Sequence, residues 1–247
     1  FPLYSPESVR KRLLNYDHKE FNLDDLYTIS AEESKSSVII LQDAFTSFYE
    51  SQVVVEFFQL LRKLDFSVYV APFNPNGKPL HVKGFLTKFK NVAERNIKWL
   101  KHVGGAGIPI VGLDPSIVLT YRDEYLKIIG NNNHQINVLL PQEFLIMNRE
   151  NCRKHSVKLK QNIKEYHLLG HCTEKTTAES SLELWKDVFN LFDLDLMLIN
   201  AGCCGMAGTY GHETEHYEES LGIYNLSWRK KIPEDPFYRQ KILVTGF

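Results

Sequence analysis

The sequence predicts an α/β fold: two pseudo-symmetric lobes of parallel βαβ units facing a common cleft lined by strand ends. Two observations carry this. Short apolar runs rich in β-branched residues alternate with helix-length amphipathic segments. The pattern then restarts, so that Asp43-Ala44-Phe45-Thr46 falls on His171-Cys172-Thr173-Glu174 at an offset of 128 (171 − 43). Strands separated by helices join in parallel through right-handed crossovers.

In chain order, residues 1–34 read as an N-terminal arm in which Ser5 caps a short helix with Pro6 at its first position. Residues 35–150 form the first lobe. Its strands are Ser37–Leu41, Ser67–Ala71 and Ile108–Gly112, and Val54, Phe57, Phe58, Leu61 and Leu64 make a helical stripe between the first two. A long amphipathic helix is expected over His81–Val103. Asp114-Pro115-Ser116 opens another over Ile117–Ile129. Gly130–His134 reads as a turn, Ile136–Leu140 as a short strand, and Arg149–Lys164, with Cys152 and His155, as a basic linker. Residues 151–247 form the second lobe: strands Tyr166–Gly170, Asp195–Asn200 and Lys241–Thr245, with helices Ala178–Leu191 and Thr214–Arg229. Ile110-Val111-Gly112 is expected to match Val244-Thr245-Gly246 at an offset of 134. On that alignment the second lobe is truncated before its last ligand loop. Beginning at Phe1 and ending at Phe247, the chain reads as a piece of something longer.

Composition narrows the function. The 247 residues are 43% hydrophobic and 24% charged, with a formal charge of −1. That balance gives no electrostatic basis for binding nucleic acid or an anionic membrane. No apolar run approaches the roughly 20 residues of a membrane span. The start is not a secretory signal, and a chain of this size needs no disulfide framework. The four cysteines are Cys152, Cys172, Cys203 and Cys204, three of them in the second half. Such clustering fits a reducing, cytoplasmic compartment and a metal or redox site.

The run Gly202-Cys203-Cys204-Gly205-Met206-Ala207-Gly208 follows Cys172 by 31 residues (203 − 172). Adjacent side chains on a strand leave opposite faces, so two neighbouring cysteines do not share one apolar core. The glycines let the backbone turn until both sulfurs converge on one object. Thiolates suit an iron–sulfur cluster, zinc or copper(I). His171 supplies a fourth donor for zinc, although adjacent cysteines chelate a single ion awkwardly. A vicinal disulfide, or a thiol–disulfide enzyme, stays open as well. The glycine spacing is not that of a dinucleotide loop. His212 and His216 are four apart among Glu213, Glu215, Glu218 and Glu219, without the glutamate position of a His-Glu-x-x-His site; an acidic first helical turn explains them equally. In the first lobe Asp43, His81, Lys83 and Asp114 lie at strand ends or helix starts.

Gly170-His171-Cys172, Ala201 to Gly208, Glu213, His216-Tyr217 and Ser220 together resemble a cysteine-rich CCG domain. Such domains occur in heterodisulfide reductase and in the iron–sulfur subunits of glycolate oxidase and anaerobic glycerol-3-phosphate dehydrogenase. From Val38 onward, Gly107–Asp123 included, the chain resembles the C-terminal part of fused bacterial FAD-linked oxidases of the D-2-hydroxyglutarate/D-lactate dehydrogenase type. The resemblance implies a 4Fe–4S cluster held by Cys172, Cys203, Cys204 and one further thiolate from a Ser-Cys-Arg segment past this end. It implies that Gly202, Gly205, His171, Lys175, His216 and Tyr217 surround that cluster. It also implies an FAD-binding domain and a ferredoxin-like domain as partners on the same polypeptide or complex, and a cytoplasmic or peripheral inner-membrane location. The first lobe departs from the pattern: Ala44, Pro75, Asn76 and Ile117 stand where family members often carry cysteine. The alternative is a zinc-holding or metal-free docking domain of the same oxidoreductase.

Overall fold

Seven strands divide between two wholly parallel sheets among the described residues, which in this computed structural model are 3–130, 136–155, 165–239 and 241–246. The α/β class is as the alternating pattern requires. One unit runs from Tyr4 to His155 and the other holds the chain beyond it.

The first unit begins with α1 (Val9–Leu13), α2 (Leu23–Leu26) and α3 (Ala31–Lys35), then β1 (Ser37–Leu41), α4 (Ala44–Phe48), α5 (Ser51–Lys63) and β2 (Ser67–Val70). It continues with α6 (Lys78–Val82), α7 (Leu86–Gly104), β3 (Ile110–Gly112), α8 (Pro115–Leu119) and, after a π-helical turn over Thr120–Glu124, α9 (Tyr125–Ile129). β4 (Val138–Leu139), α10 (Pro141–Met147) and α11 (Arg149–His155) complete it. The sheet order is β2-β1-β3-β4. Because β1 lies between β2 and β3, the chain changes direction there, and the crevice at the carboxyl ends of β1 and β3 is where such sheets bind ligands. α7 covers one sheet face, with Phe89, Ala93, Ile97 and Leu100 buried against Ile39, Tyr69 and Ile110. Phe89, Ile97 and Leu100 each contribute about 2 kcal/mol of apolar burial.

The second unit contains β5 (Glu165–Leu169), α12 (Cys172–Thr177), α13 (Glu179–Asn190) and β6 (Asp195–Ile199). Two short 3₁₀ turns at Tyr210–His212 and Thr214–His216 lead into α14 (Tyr217–Leu226), α15 (Pro236–Arg239) and β7 (Ile242–Val244). The order β6-β5-β7 repeats β2-β1-β3. Leu182, Trp185 and Phe189 of α13 pack on the face formed by Tyr166, Leu168, Leu196, Leu198 and Leu243. The opposite face differs from its counterpart. Met197 is 54% exposed, whereas Tyr69 at the equivalent place is 4% exposed under the first unit's core.

The 128-residue offset holds for the strand starts (165 − 37 and 195 − 67) and for the capping residues Asp43 and His171. The last strand corrects it. Ile110 pairs with Ile39 and Ile242 with His167, so the offset there is 132 (242 − 110) rather than 134. A two-residue shift keeps every side chain on its face, which is why the apolar pattern alone did not fix it.

Other local expectations change for identifiable reasons. Ser8, not Ser5, caps α1, because the Ser5 hydroxyl accepts the Ser51 amide at the start of α5 (2.9 Å). The arm therefore packs with the first unit. The helix expected over His81–Val103 is broken at Gly84, whose φ of +77° is left-handed. The basic linker begins as α11 and buries Cys152 completely, so the unit extends through His155; the rest of that stretch and the turn at Asn131–His134 lie outside the described residues. Thr214–His216 is 3₁₀ and the α-helix starts only at Tyr217. None of the described helices is long and apolar enough to cross a membrane.

Candidate metal centre

Cys172 is the first residue of α12, directly beyond the carboxyl end of β5. His171 caps that helix, its Nδ1 accepting the Thr173 amide at 3.2 Å. In the neutral ring this leaves the proton on Nε2. The His171 amide donates to Thr245 Oγ1 (2.8 Å), and the Thr245 hydroxyl donates to Glu174 Oε2 (2.7 Å). Ser181 Oγ donates to Glu174 Oε1 at 2.9 Å. The fully buried Glu174 carboxylate thus ties the Cys172 helix to α13 and to the exit of β7. Nothing in the motif marks this residue, since an acidic residue in a first helical turn looks like ordinary dipole compensation.

Cys203 and Cys204 lie on the loop that leaves β6, the neighbour of β5. Protein hydrogen bonds hold that loop from several sides. Lys175 Nζ donates to the carbonyls of Ala201 (2.5 Å) and Gly202 (3.3 Å). Ser227 Oγ accepts the Gly202 amide (2.7 Å), and Trp228 Nε1 donates to the Gly202 carbonyl (2.9 Å). Ser220 Oγ donates to the Gly205 carbonyl at 2.9 Å. Gly205 has φ +87°, and a Cβ there would meet the Ser220 carbonyl oxygen at 2.3 Å, so the turn requires glycine on two counts. Ser227 and Trp228 carry no motif of their own; only the folded loop shows their part.

All three sulfurs are free thiols; Cys203 is exposed, and Cys172 and Cys204 are half-buried. Burial pushes the Cys204 thiol up, the Met206 amide opposes this by bonding the sulfur, and Cys203 and Cys172 push it up further. The Gly205 amide also points at Cys203 Sγ (3.4 Å).

His216 is surrounded by carboxylates. Its Nε2 is 3.7 Å from Glu213 and 3.9 Å from Glu215, its Nδ1 is 3.4 Å from Glu219, and its ring stacks on Tyr210 at 4.0 Å. Among the described residues, Glu213, Glu215 and His216 are the group whose donor atoms lie within 4.8 Å of one another. The three cysteines do not meet that criterion.

The first unit shows what stands in the place of the thiols. Asp43 caps α4, accepting the Phe45 and Thr46 amides (2.8 and 2.9 Å) and the Thr46 hydroxyl (2.6 Å). Burial, with the Asp114 carboxylate adding repulsion, raises its pKa to about 6. Asp114 caps α8, accepting the Ser116 hydroxyl and the Ile117 amide. The loop equivalent to Cys203-Cys204-Gly205 is Pro75-Asn76-Gly77. It is held by Asn96 Nδ2 to the Pro75 carbonyl (2.9 Å) and by Tyr125 Oη to the Asn76 carbonyl (2.6 Å). Beside it, Lys78 and His81 both bond Glu124. Lys83 is exposed.

Known proteins can now be set beside this geometry. The chain is similar to D-2-hydroxyglutarate dehydrogenases. It is 39% identical over 246 residues to the one from Escherichia coli (strain K12) and 37% identical over 252 residues to the one from Haemophilus influenzae, in each case over 100% of the chain. It spans about a quarter (24%) of the length of each. It is also 24% identical over 202 residues to one of the subunits of the anaerobic glycerol-3-phosphate dehydrogenase of Escherichia coli (strain K12), covering 79% of the chain and 50% of that protein. No family profile matches the chain, and no solved structure does.

Proposed function

We propose that the second unit holds a 4Fe–4S cluster and that the chain is the electron-transfer module of an FAD-linked D-2-hydroxy acid dehydrogenase. The observation that carries this is the placement of three free thiols on loops leaving the carboxyl ends of the adjacent parallel strands β5 and β6. Similarity to D-2-hydroxyglutarate dehydrogenases along the whole chain supports the same reading. So does the occurrence of the Cys-Cys-Gly pattern in iron–sulfur proteins.

The donor set fits the group. Zinc bonds sulfur at about 2.3 Å, which keeps any two of its thiolates within about 4.6 Å of each other. The three cysteine sulfurs spread wider than that, which favours several irons over one ion. Cys172, Cys203 and Cys204 would be ligands, and a fourth would enter from the loop after β7, whose Thr245 already bonds the His171 amide. When bound, the cluster supplies one-electron transfer. The chain's own residues do the positioning: Lys175, Ser227 and Trp228 fix the Gly202 peptide, Ser220 fixes Gly205, and the amides of Gly205 and Met206 point at cysteine sulfur. Hydride removal from the hydroxy acid belongs to the flavin on a domain outside this chain, and nothing among these residues supplies it. The other domains of the same polypeptide, a ferredoxin-like one included, are the partners.

The test is iron and acid-labile sulfide analysis with EPR on the full polypeptide, prepared anaerobically. A loss of about four irons and four sulfides per chain in Cys203→Ser relative to the unsubstituted polypeptide supports the reading, since whatever iron the ferredoxin-like domain carries cancels in that difference. Equal iron in the two proteins, or zinc in place of the iron lost, retires it in favour of a docking domain. The exposed Met197 (54%) and Val244 (56%) favour that second reading.

A further inference from the structure

Lys175 brings a positive charge to the thiol loop. Its Nζ donates to the carbonyls of Ala201 and Gly202, the second at 3.3 Å. Counting along the bonds from that oxygen, the ammonium lies no more than about 7 Å from the Cys203 Cα. Lys175 also follows Cys172 by three residues on α12, which makes the two neighbours on the helix surface. One half-buried cation thus stands beside both segments that carry the thiols. Among the described residues Lys175 forms no ion pair. Glu174, the acid next to it in sequence, is turned to Ser181 and Thr245.

The repeat separates this charge from the architecture. At the 128-residue offset Lys175 falls on Ser47 (175 − 128), which is the fourth residue of α4 as Lys175 is of α12. Ser47 is buried and uncharged, and its hydroxyl donates to Gln42 Oε1 at 3.2 Å. The first unit, which lacks thiols on its strand-end loops, therefore builds the same frame with no cation at this place. In the second unit the Gly202 residue has other anchors as well: Ser227 Oγ accepts its amide, and Trp228 Nε1 donates to its carbonyl. Ordering a lysine sacrifices more side-chain entropy than ordering a short donor. What it adds in return is charge.

We propose that the charge of Lys175 raises the reduction potential of the cluster bound by Cys172, Cys203 and Cys204. This rests on the electron-transfer reading. Reduction by one electron adds negative charge to a centre already ringed by thiolates, and a fixed cation nearby stabilises the reduced form more than the oxidised one. Partial burial limits the screening of that interaction by salt. Lys175 thereby draws electrons toward the second unit, while the first unit, with Ser47, has no use for such a charge.

The test is a potentiometric EPR titration of the full polypeptide, prepared anaerobically, following the signal that Cys203→Ser removes. Lys175→Met takes away the charge and both bonds. Lys175→Gln takes away the charge but keeps an amide donor, and Lys175→Arg keeps charge and donors. In the Met and Gln variants the reduction equilibrium is expected to move at least about tenfold toward the oxidised form, a midpoint about 59 mV lower, with iron content unchanged. Lys175→Arg is expected to restore most of that shift. A midpoint common to all these proteins overturns the role of the charge and leaves the cluster reading standing. A shift in Lys175→Met that Lys175→Gln does not share, or a Lys175→Arg midpoint as low as that of Lys175→Met, has the same consequence. So does loss of the signal in Lys175→Gln, which makes Lys175 a holding residue only. If Cys203→Ser removes no signal at all, the cluster reading fails and the role of Lys175 falls with it.

Discussion

Replacing Asp43 by asparagine separates a capping role from the cost of a buried charge. The carboxyl is 4% exposed, and its pKa is raised from 3.8 to about 6, by burial first and by the Asp114 carboxylate second. Between those two values the native state holds a proton that the unfolded chain has released, so stability falls as pH rises. The contribution is fully present below pH 3.8 and lost once the pH passes about 6. Two pKa units at about 1.36 kcal/mol each amount to ~3 kcal/mol. Asparagine keeps the cap, since its Oδ1 can accept the Phe45 and Thr46 amides as Asp43 does, but it carries no charge at any pH. Carboxylates remote from Asp43 titrate in both proteins and cancel in the difference, whereas Asp114 is coupled to Asp43 and shares in it. The assay is urea unfolding of wild type and Asp43→Asn at pH 4, 5, 6 and 7.5, with Trp185 and Trp228 replaced by Phe so that Trp99 alone reports on the first unit. Wild type should lose ~2.4 kcal/mol relative to the variant between pH 4 and 7.5, since at pH 4 part of the ~3 kcal/mol is already gone. A difference that stays flat within about 0.5 kcal/mol, or that changes in the other direction, refutes the buried-charge argument.

Gly205→Ala is expected to lower the melting temperature of the second unit and to abolish iron incorporation, because its Cβ would lie 2.3 Å from the Ser220 carbonyl oxygen; thermal unfolding and iron analysis read both. Glu174→Ala leaves the Ser181 and Thr245 hydroxyls without their carboxylate partner inside the protein. It should cost about 2–4 kcal/mol in denaturant unfolding, whereas Glu174→Gln, which keeps an acceptor, should cost less. Lys175→Met removes both bonds to the Ala201 and Gly202 carbonyls. It is expected to raise the rate of Cys203 alkylation in metal-free protein, with Lys175→Arg restoring the slower rate.

What was legible in the sequence is what repeats. The first two strand starts recur at one spacing because each half builds the same βαβ frame, and the β-branched runs mark buried strands whichever half they occupy. The thiols were legible because cysteine beside cysteine between glycines has few purely structural uses. Three kinds of feature were not. Breaks inside amphipathic stretches, such as the one at Gly84, keep the apolar period on both sides and so leave no gap in it. Caps are chosen by competition: Ser5 serves the start of α5 and leaves α1 to Ser8. Long-range polar ties, such as Glu174 to Thr245 across 71 residues, depend on which loops the sheet order brings together. Asp43 belongs to this class too, since its raised pKa comes from a carboxylate 71 residues away in sequence (114 − 43) as well as from burial.

A comparison of the two units explains why one can dispense with thiols. At the carboxyl end of the central strand, Asp43 and His171 perform the same task, accepting amides of the following helix. One residue further on, Ala44 stands in one unit and Cys172 in the other. Gly77 and Gly205 make the same left-handed turn, at φ +78° and +87°. In the first unit the loop before Gly77 is anchored by Asn96 and Tyr125, and Lys78 beside it bonds Glu124. In the second, the loop before Gly205 is anchored by Lys175, Ser227 and Trp228. Protein hydrogen bonds therefore shape both loops. It follows that substituting the cysteines of the second unit should remove bound iron while leaving β5, β6 and β7 paired. The thiols are an attachment to a frame that stands without them, as the first unit's Ala44, Pro75 and Asn76 already illustrate.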